Sequence, residues 1–287
     1  MRDIRTYSPA SLSEALDILS REGEGVKAIS GGTDVIVQVL EGKREPIALL
    51  DLRRLRELRY ICEDNGSVRI GPLATHREIE RSQIITNCAA VLSEAAFIVG
   101  SPQIKNLGTI GGNIANASPV ADSVPALMVL DAVLTLSSRS GERRIPVREF
   151  AVGPGKSVLR PDELITDISF VKPGADEISF YERLGQRRLL AISKVGVAFK
   201  ARVQDGVMSK VAIALGAVAP TVIVATRAAA YLEGKAYSEK TAEEAGCIAE
   251  GESRAITDVR STADYRNKMV GALLMRGLAR IMSRRSE

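Results

Sequence analysis

This chain contains the segment Thr109-Ile-Gly-Gly-Asn-Ile-Ala-Asn-Ala-Ser-Pro-Val-Ala-Asp122, and about 75 residues earlier the related segment Lys27-Ala-Ile-Ser-Gly-Gly-Thr-Asp34. Paired glycines allow positive φ angles, so successive backbone N–H groups can point into one concavity. Four polar side chains can add hydrogen bonds there: Thr33, Thr109, Asn113 and Ser118. Two such loops suit a diphosphate, and we predict that they meet around one dinucleotide. Two ordinary tight turns are the alternative.

Other phosphate-binding motifs do not match. Neither glycine pair has the GxGxxG spacing of a Rossmann fingerprint. Gly155-Lys156-Ser157 resembles the end of a Walker A loop, but Phe150 stands where that loop begins with glycine. We therefore predict a plain turn over residues 153–156.

Composition excludes several classes of protein. Apolar residues make up 45 % of the 287 positions, enough for a sizeable core, so disorder is not expected. Trp is absent, and the net charge of +4 is spread over the chain, which disfavours nucleic acid as a partner. His76 is the single histidine, which excludes metal sites that need two. The capping box Thr75-His-Arg-Glu78 predicts that His76 has a structural place in the first turn of an exposed helix.

The cysteines and the N-terminus bear on the compartment. The chain has three cysteines, Cys62, Cys88 and Cys247, and no CxxC motif. This odd count and spacing predict buried or half-buried free thiols and disfavour an iron–sulfur or zinc site. No apolar run follows Met1–Tyr7, and no stretch of about 20 apolar residues occurs. We expect a cytoplasmic protein with no membrane partner.

A change of pattern divides the chain into a larger first part, residues 1–174, and a smaller second part, residues 175–287. The first part has sections of about 1–55 and 56–174. Predicted helices span about 11–21 and 89–99, and the segment 35–40 is either helix or strand. Predicted strands cover 26–29, 46–52 and 167–171, with a hairpin over 133–147.

The second part begins with alternating apolar residues on either side of Asp205-Gly206, which predicts a hairpin. Three helices follow, over 226–233, about 239–250 and about 262–284. The last helix should bury one face that carries Tyr265, Met269, Leu273, Leu278 and Ile281. Its basic end should be solvated or contact a partner, and it consists of Arg276, Arg280, Arg284 and Arg285.

Together these segments resemble the FAD-binding (medium) subunit of the molybdenum hydroxylases, the group of xanthine, nicotinate and carbon monoxide dehydrogenases. The family motifs read approximately A-G-G-T-D and T-I-G-G-N-x-x-x-x-x-P-x-G-D, and both occur here in that order, with Gln103-Ile-Lys-Asn106 also fitting. The resemblance covers essentially the whole chain. It departs from the family at Ser30, where Ala is usual, at Ala121, where Gly is common, and at Arg183, where Lys is frequent.

The resemblance implies an α+β fold: a two-part α/β FAD-binding domain of the PCMH or vanillyl-alcohol-oxidase type, then a small domain with an antiparallel sheet and a helix bundle. It also implies bound FAD, with Asp122 on the sugar hydroxyls of the cofactor and Val99 near its adenosine. The implied FAD-binding residues are Lys27, Ala28, Ile29, Ser30, Gly31, Gly32, Thr33, Asp34, Val99, Thr109, Ile110, Gly111, Gly112, Asn113, Ser118, Asp122, Leu164, Ile165 and Arg183.

By the same resemblance, substrate is oxidised at a molybdenum cofactor on a large subunit, and electrons pass through 2Fe–2S clusters on a small subunit to FAD. NAD+ or another acceptor then receives them. Carbon monoxide enzymes tend to have Gly-Gly-His-Ser in the first loop, whereas here Thr33-Asp34 follows Gly32. We therefore expect a purine or another N-heterocycle as substrate, xanthine first. The alternatives are a carbon monoxide dehydrogenase-type subunit, a self-sufficient FAD oxidase and a scaffold that has lost its flavin.

Overall fold

Three larger sheets organise the chain in the computed structural model, which describes residues 4–187 and 190–286 and, in the last helix, no side chain beyond Ser283. The first region contains β1 (Arg5–Tyr7), α1 (Leu12–Glu22), β2 (Val26–Ile29), α2 (Val35–Leu40) and β3 (Ala48–Asp51). Its strands form a parallel sheet in the order β1-β3-β2. Helix α1 begins where the Ser11 side chain accepts a hydrogen bond from the Glu14 N–H.

The second region surrounds an antiparallel sheet in the order β4-β5-β10-β6-β7. Its strands are β4 (Ile61–Asp64), β5 (Ser67–Ile70), β6 (Val133–Ser138), β7 (Gly141–Pro146), β8 (Ala151–Gly153), β9 (Lys156–Ser157) and β10 (Leu164–Val171). Its helices are α3 (His76–Arg81), α4 (Gln83–Cys88), α5 (Ala90–Ile98), α6 (Pro102–Leu107), α7 (Ile110–Ala115) and α8 (Ser123–Val129). Strand β10 is the central strand, and every residue before Val171 in it is buried.

The third region packs helices on a second antiparallel sheet, in the order β11-β12-β13-β14. It contains β11 (Glu177–Gly185), β12 (Ser193–Gln204), β13 (Val207–Gly216), β14 (Ile223–Val224), α9 (Thr226–Leu232), α10 (Glu239–Glu250) and α11 (Ala263–Ser286). Asp205 and Gly206 both have positive φ, as a two-residue hairpin turn requires, so the predicted hairpin is confirmed.

The second antiparallel sheet connects two hydrophobic cores. Because side chains alternate along a strand, Tyr181 and Ala198 join the core of the middle region, whereas Phe180 and Phe199 face the core under α11. The two phenylalanine rings stack with centroids 5.1 Å apart. The chain is therefore mixed α+β. Within the described ranges, no helix is both long enough and apolar enough to cross a bilayer.

Four expectations about individual side chains are wrong. His76 is buried, with 2 % of its surface exposed, because α3 packs against α5 and α6. Cys62 and Cys247 are exposed, and only Cys88 is half-buried. Tyr265 is 46 % exposed because the buried face of α11 starts at Arg266. Arg276 is exposed as expected, although it also pairs with Glu182, whereas Arg280, expected in solvent or on a partner, is half-buried and binds Glu94 of this chain. The side chains of Arg284 and Arg285 lie outside the described residues.

Candidate functional site

A deep cleft lies between the first and second regions, and both glycine segments form its walls. The space between its walls, with the open mouth and adjoining solvent included, is about 1130 Å³. All predicted site residues line this cleft except Ile110, Ser118, Asp122 and Arg183. The cleft is therefore the candidate functional site.

The first glycine segment follows β2 directly and forms an open loop before α2. Gly32 has a φ of +70°, a conformation that glycine adopts without strain. The backbone N–H groups of Gly32, Thr33 and Asp34 have no acceptor among the described residues, and all three residues line the cleft. Such a row of free amides can bind an anionic oxygen. This loop has the chemistry that the sequence predicted for it.

The second glycine segment differs from the prediction, because Gly111 and Gly112 lie in helix α7 and neither has a positive φ. The first backbone N–H groups of this segment already donate hydrogen bonds to other groups of the protein. The Ile110 N–H donates to the Ala74 carbonyl at 2.9 Å, the Gly111 N–H to the Pro72 carbonyl at 2.9 Å, and the Gly112 N–H to the Thr109 hydroxyl at 3.1 Å. This segment therefore offers small side chains to the cleft and no row of free amides.

Glycine is required in the second segment for close packing. A Cβ on Gly111 would lie 2.5 Å from Pro72 Cβ, and one on Gly112 would lie 3.2 Å from Ser30 Oγ. The two glycine segments also bond directly, since Ser30 Oγ and Thr109 Oγ1 are 2.8 Å apart. They consequently meet along one side of the cleft.

Charged groups also line the cleft. Lys27 and Arg44 supply two cations, and Asp34 supplies an anion. Burial, followed by the charge of Arg44, lowers the pKa of Lys27, and burial raises the pKa of Asp34. Both shifts favour the neutral forms relative to the free side chains, and a bound anion would favour the charged form of Lys27. Sequence reasoning missed Arg44, because it lies beyond α2 and reaches the cleft only through the fold.

Asp122 and Arg183 do not line the cleft and lie where the middle region meets the third. Asp122 Oδ1 accepts hydrogen bonds from the Tyr181 hydroxyl at 2.8 Å and the Ser193 hydroxyl at 2.5 Å, and its Oδ2 lies 3.3 Å from Arg183 Nη1. Burial raises the pKa of Asp122, and the Arg183 charge opposes that rise. The carboxylate thus joins the two regions through three donors. Asn113, on the cleft wall, accepts a hydrogen bond from the neighbouring Ser123 at 2.7 Å.

The other two predicted residues serve different purposes. Ile110 is fully buried in the core of the middle region. Ser118 lines a smaller cavity beside Phe150 and Thr221. Besides Arg44, sequence reasoning missed further cleft residues: Val35, Leu52, Pro72, Leu73, His76, Ile104, Gly108, Ala115, Asn116, Leu159 and Glu163. The capping box indicated where His76 lies on its helix, but nothing local indicated that this helix borders the cleft.

Known proteins match this chain along almost all of its length. A family model described as the FAD binding domain in molybdopterin dehydrogenase matches residues 2–171, and the CO dehydrogenase flavoprotein C-terminal domain matches residues 180–281. The nicotinate dehydrogenase FAD-subunit of Eubacterium barkeri is 35 % identical over 71 % of each chain. The xanthine dehydrogenase FAD-binding subunit of Escherichia coli O157:H7 is 33 % identical over 78 % of this chain and 77 % of the relative.

A solved structure also matches the fold of this chain along nearly its whole length. A solved carbon monoxide dehydrogenase from Hydrogenophaga pseudoflava, which lacks the Mo-pyranopterin moiety of its cofactor, contains a chain that superposes with a TM-score of 0.94. That chain is 30 % identical to this one, and the match covers 98 % of both. The two family matches contain both glycine segments and residues 180–281 of the third region.

Proposed function

The chain belongs to the family of FAD-binding subunits of the molybdenum hydroxylases, and we propose that, by holding FAD, it carries electrons from 2Fe–2S clusters of a small subunit to NAD+ or another acceptor. The molybdenum cofactor belongs to a large subunit. When bound, FAD exchanges electrons singly or in pairs, which links one-electron clusters to a two-electron acceptor. This chain is thus the flavoprotein component of an oxidoreductase.

The meeting of the two glycine segments is the observation that carries this proposal. Ser30 and Thr109 join them at 2.8 Å, and the free amides of Gly32, Thr33 and Asp34 lie beside that contact. Lys27 and Arg44 place positive charge on the same cleft. Free amides and cations are the partners that a diphosphate needs, so the residues present fit FAD.

The predicted residues divide into three roles within the proposed site. The residues of both segments that line the cleft bind the cofactor, with Val99, Leu164 and Ile165 as apolar walls. Ile110 and Ser118 support the second segment. Asp122 and Arg183 hold the third region against the middle region, and Ser123, next to Asp122 in sequence, bonds Asn113 on the cleft wall.

We assign FAD binding to residues 1–174, with sections of about 1–55 and 56–174. Residues 175–287 form the C-terminal domain. The two family matches end and begin on either side of the connection between β10 and β11, which supports this division.

For the substrate of the whole enzyme we propose an N-heterocycle, with xanthine as the first candidate. The nicotinate and xanthine dehydrogenase relatives support this choice, as does Thr33-Asp34 in the first loop. Carbon monoxide is the second candidate, because of the superposition with the Hydrogenophaga pseudoflava enzyme. Turnover of xanthine, nicotinate and carbon monoxide by the co-purified complex distinguishes them.

Reconstitution with FAD tests the proposal. The purified chain should take up one FAD, show flavin absorbance bands, and be reduced through partner subunits when substrate is added to the complex. A chain that cannot be loaded with FAD contradicts the proposal and favours a scaffold role. Substrate oxidation by the loaded chain alone, without partners, favours a self-sufficient oxidase.

A further inference from the structure

A second pocket adjoins the cleft and has a different character. Ser30, Gly31 and Thr109 line both spaces, so the contact between the two glycine segments lies between them. The second space measures about 780 Å³ with its open mouth and adjoining solvent included. Among the described residues that line it, three are arginines and none is acidic. We call it the arginine pocket, defined by Arg53, Arg56, Arg59, Gly31, Asn106 and Thr109.

The sequence places the three arginines at every third position of the segment that follows β3. The residue before each arginine is a buried leucine of the first region, and these leucines are Leu52, Leu55 and Leu58. A 3₁₀ turn over Arg56–Leu58 has three residues per turn, which keeps residues three apart on the same side. The leucines therefore anchor the segment in the core, and the arginines face one space together.

Two of the arginines are oriented by carboxylates that do not line the pocket. Arg53 donates from Nε to Asp51 Oδ1 at 2.9 Å and from Nη2 to Asp51 Oδ2 at 2.7 Å. Arg59 donates from Nε to Glu78 Oε1 at 2.9 Å. The side chains of Arg53 and Arg59 remain 72 % and 54 % exposed, so a ligand can reach their remaining N–H groups.

Arg56 differs from its two neighbours in the pocket. Its side chain is exposed and has no ion pair or hydrogen bond with any residue that the structure describes. A guanidinium has five N–H donors, and those of Arg56 are all available to a ligand. Asn106 adds a side-chain amide, whose Oδ1 accepts from Arg77 Nε at 3.3 Å and leaves Nδ2 to donate.

This set of donors fits a phosphate group. A guanidinium matches two oxygens of a phosphate with two parallel N–H groups, and three guanidiniums can share an anion that carries more than one charge. The pocket is concave and has backbone walls at Gly31 and Thr109, which suits a small ligand better than the flat acidic surface of a protein.

We propose that the arginine pocket binds a phosphate group, either as free phosphate or as the phosphoryl end of a nucleotide. This site is distinct from the cleft assigned to FAD, because none of its three arginines lines the cleft. The inference therefore goes beyond the proposed function.

Arg56→Gln tests the site, because it removes the guanidinium that has no partner within the described chain. Arg54→Gln is the matched control, since Arg54 is also exposed, lies in the same segment and does not line the pocket, and its loss changes the net charge equally. Inorganic phosphate and adenosine 5′-monophosphate are titrated by calorimetry into the FAD-loaded chain at constant ionic strength. Bound FAD fills the cleft, so the heat reports on the arginine pocket.

We expect the wild type to bind phosphate, Arg56→Gln to raise the Kd about tenfold, and Arg54→Gln to leave it unchanged. Tighter binding of the nucleotide assigns the pocket to a phosphoryl end, and tighter binding of phosphate assigns it to the free anion. Equal weakening by both variants would show only general attraction to a positive surface and would overturn the proposal, as would a wild type that binds neither probe.

Two further outcomes separate this site from other roles of the same surface. If Arg56→Gln leaves phosphate binding intact but weakens association with the 2Fe–2S subunit, the pocket is a protein interface and the proposal is wrong. If Arg56→Gln lowers FAD affinity as much as phosphate affinity, the pocket belongs to the cofactor site and the proposal also fails. A wild-type chain that takes up no FAD contradicts the proposed function alone, and the two variants are then compared in the unloaded chain.

Discussion

Replacing Gly31 with alanine should separate the two glycine segments. A Cβ at this position would lie 2.5 Å from the carbonyl carbon of Leu107 and 3.0 Å from the Gly108 nitrogen, both of them backbone atoms that cannot turn aside. Non-bonded carbon atoms normally stay about 3.5–4.0 Å apart, so the segments must part by roughly 1 Å. Overpacking of this kind costs about 1–3 kcal/mol of stability.

The same displacement should weaken FAD. It moves the free amides of Gly32, Thr33 and Asp34 by a distance larger than the tolerance of a hydrogen bond, which spans about 2.7–3.2 Å between heavy atoms. Losing one charge-assisted hydrogen bond costs about 1.5–3 kcal/mol, equivalent to a Kd about 10- to 150-fold higher. Flavin fluorescence titration measures the Kd, and urea unfolding measures the free energy of unfolding.

Gly153→Ala is a matched control, because its Cβ would meet nothing nearer than 4.0 Å and its φ is not in the left-handed region. It should bind FAD as the wild type does. If Gly31→Ala and Gly153→Ala hold FAD equally tightly, the contact between the segments does not shape the binding loop and the reasoning fails.

Three further predictions concern stability. The pKa of His76 is about 4 in the folded chain and 6.5 in the unfolded one, so the contribution of the neutral ring to the free energy of unfolding is complete above pH 6.5 and falls by about 3 kcal/mol as the pH drops to 4. Urea unfolding of wild type and His76→Phe should therefore show different pH dependences over that window. Parallel curves would contradict this prediction. Gly277→Ala puts a Cβ 2.5 Å from Phe180 Cδ2 and should cost about 1–3 kcal/mol in calorimetry without changing FAD affinity; unaltered melting would argue against this packing. Glu94→Ala removes the two hydrogen bonds that Glu94 accepts from Arg280, at 2.6 and 2.9 Å. The variant should make the C-terminal domain more sensitive to limited proteolysis. Resistance equal to that of the wild type would show that the ion pair is dispensable.

Local sequence signals predicted much of the fold correctly. Asp205-Gly206 has the positive φ angles of a tight hairpin turn, and the Thr75 box caps α3. The segment 35–40 could not be assigned from periodicity, and it is a helix because the Ile36 and Gln38 N–H groups donate to the Gly32 and Asp34 carbonyls. Turn and cap motifs predict structure reliably because the donor and the acceptor of each hydrogen bond lie within a few residues of each other in the sequence.

Local sequence signals did not correctly predict the buried face of α11. Hydrophobicity favoured Tyr265 as a buried residue, but Arg266 is buried instead, where it binds Asp258 and donates to the Ala217 carbonyl at 3.4 Å. The partners of Arg266 come from the loop before the helix and from the residue that follows β13. No pattern within the helix could have identified them.

By itself, the sequence determined the two glycine segments, the caps and turns, and the family to which the chain belongs, because these depend on residues close to one another or on a recognisable order of motifs. The tertiary structure decided that Gly111 serves close packing against Pro72, that Asp122 joins two regions, and that His76 borders the cleft. These roles depend on atoms brought together from distant parts of the chain, and only the packed fold specifies which atoms those are.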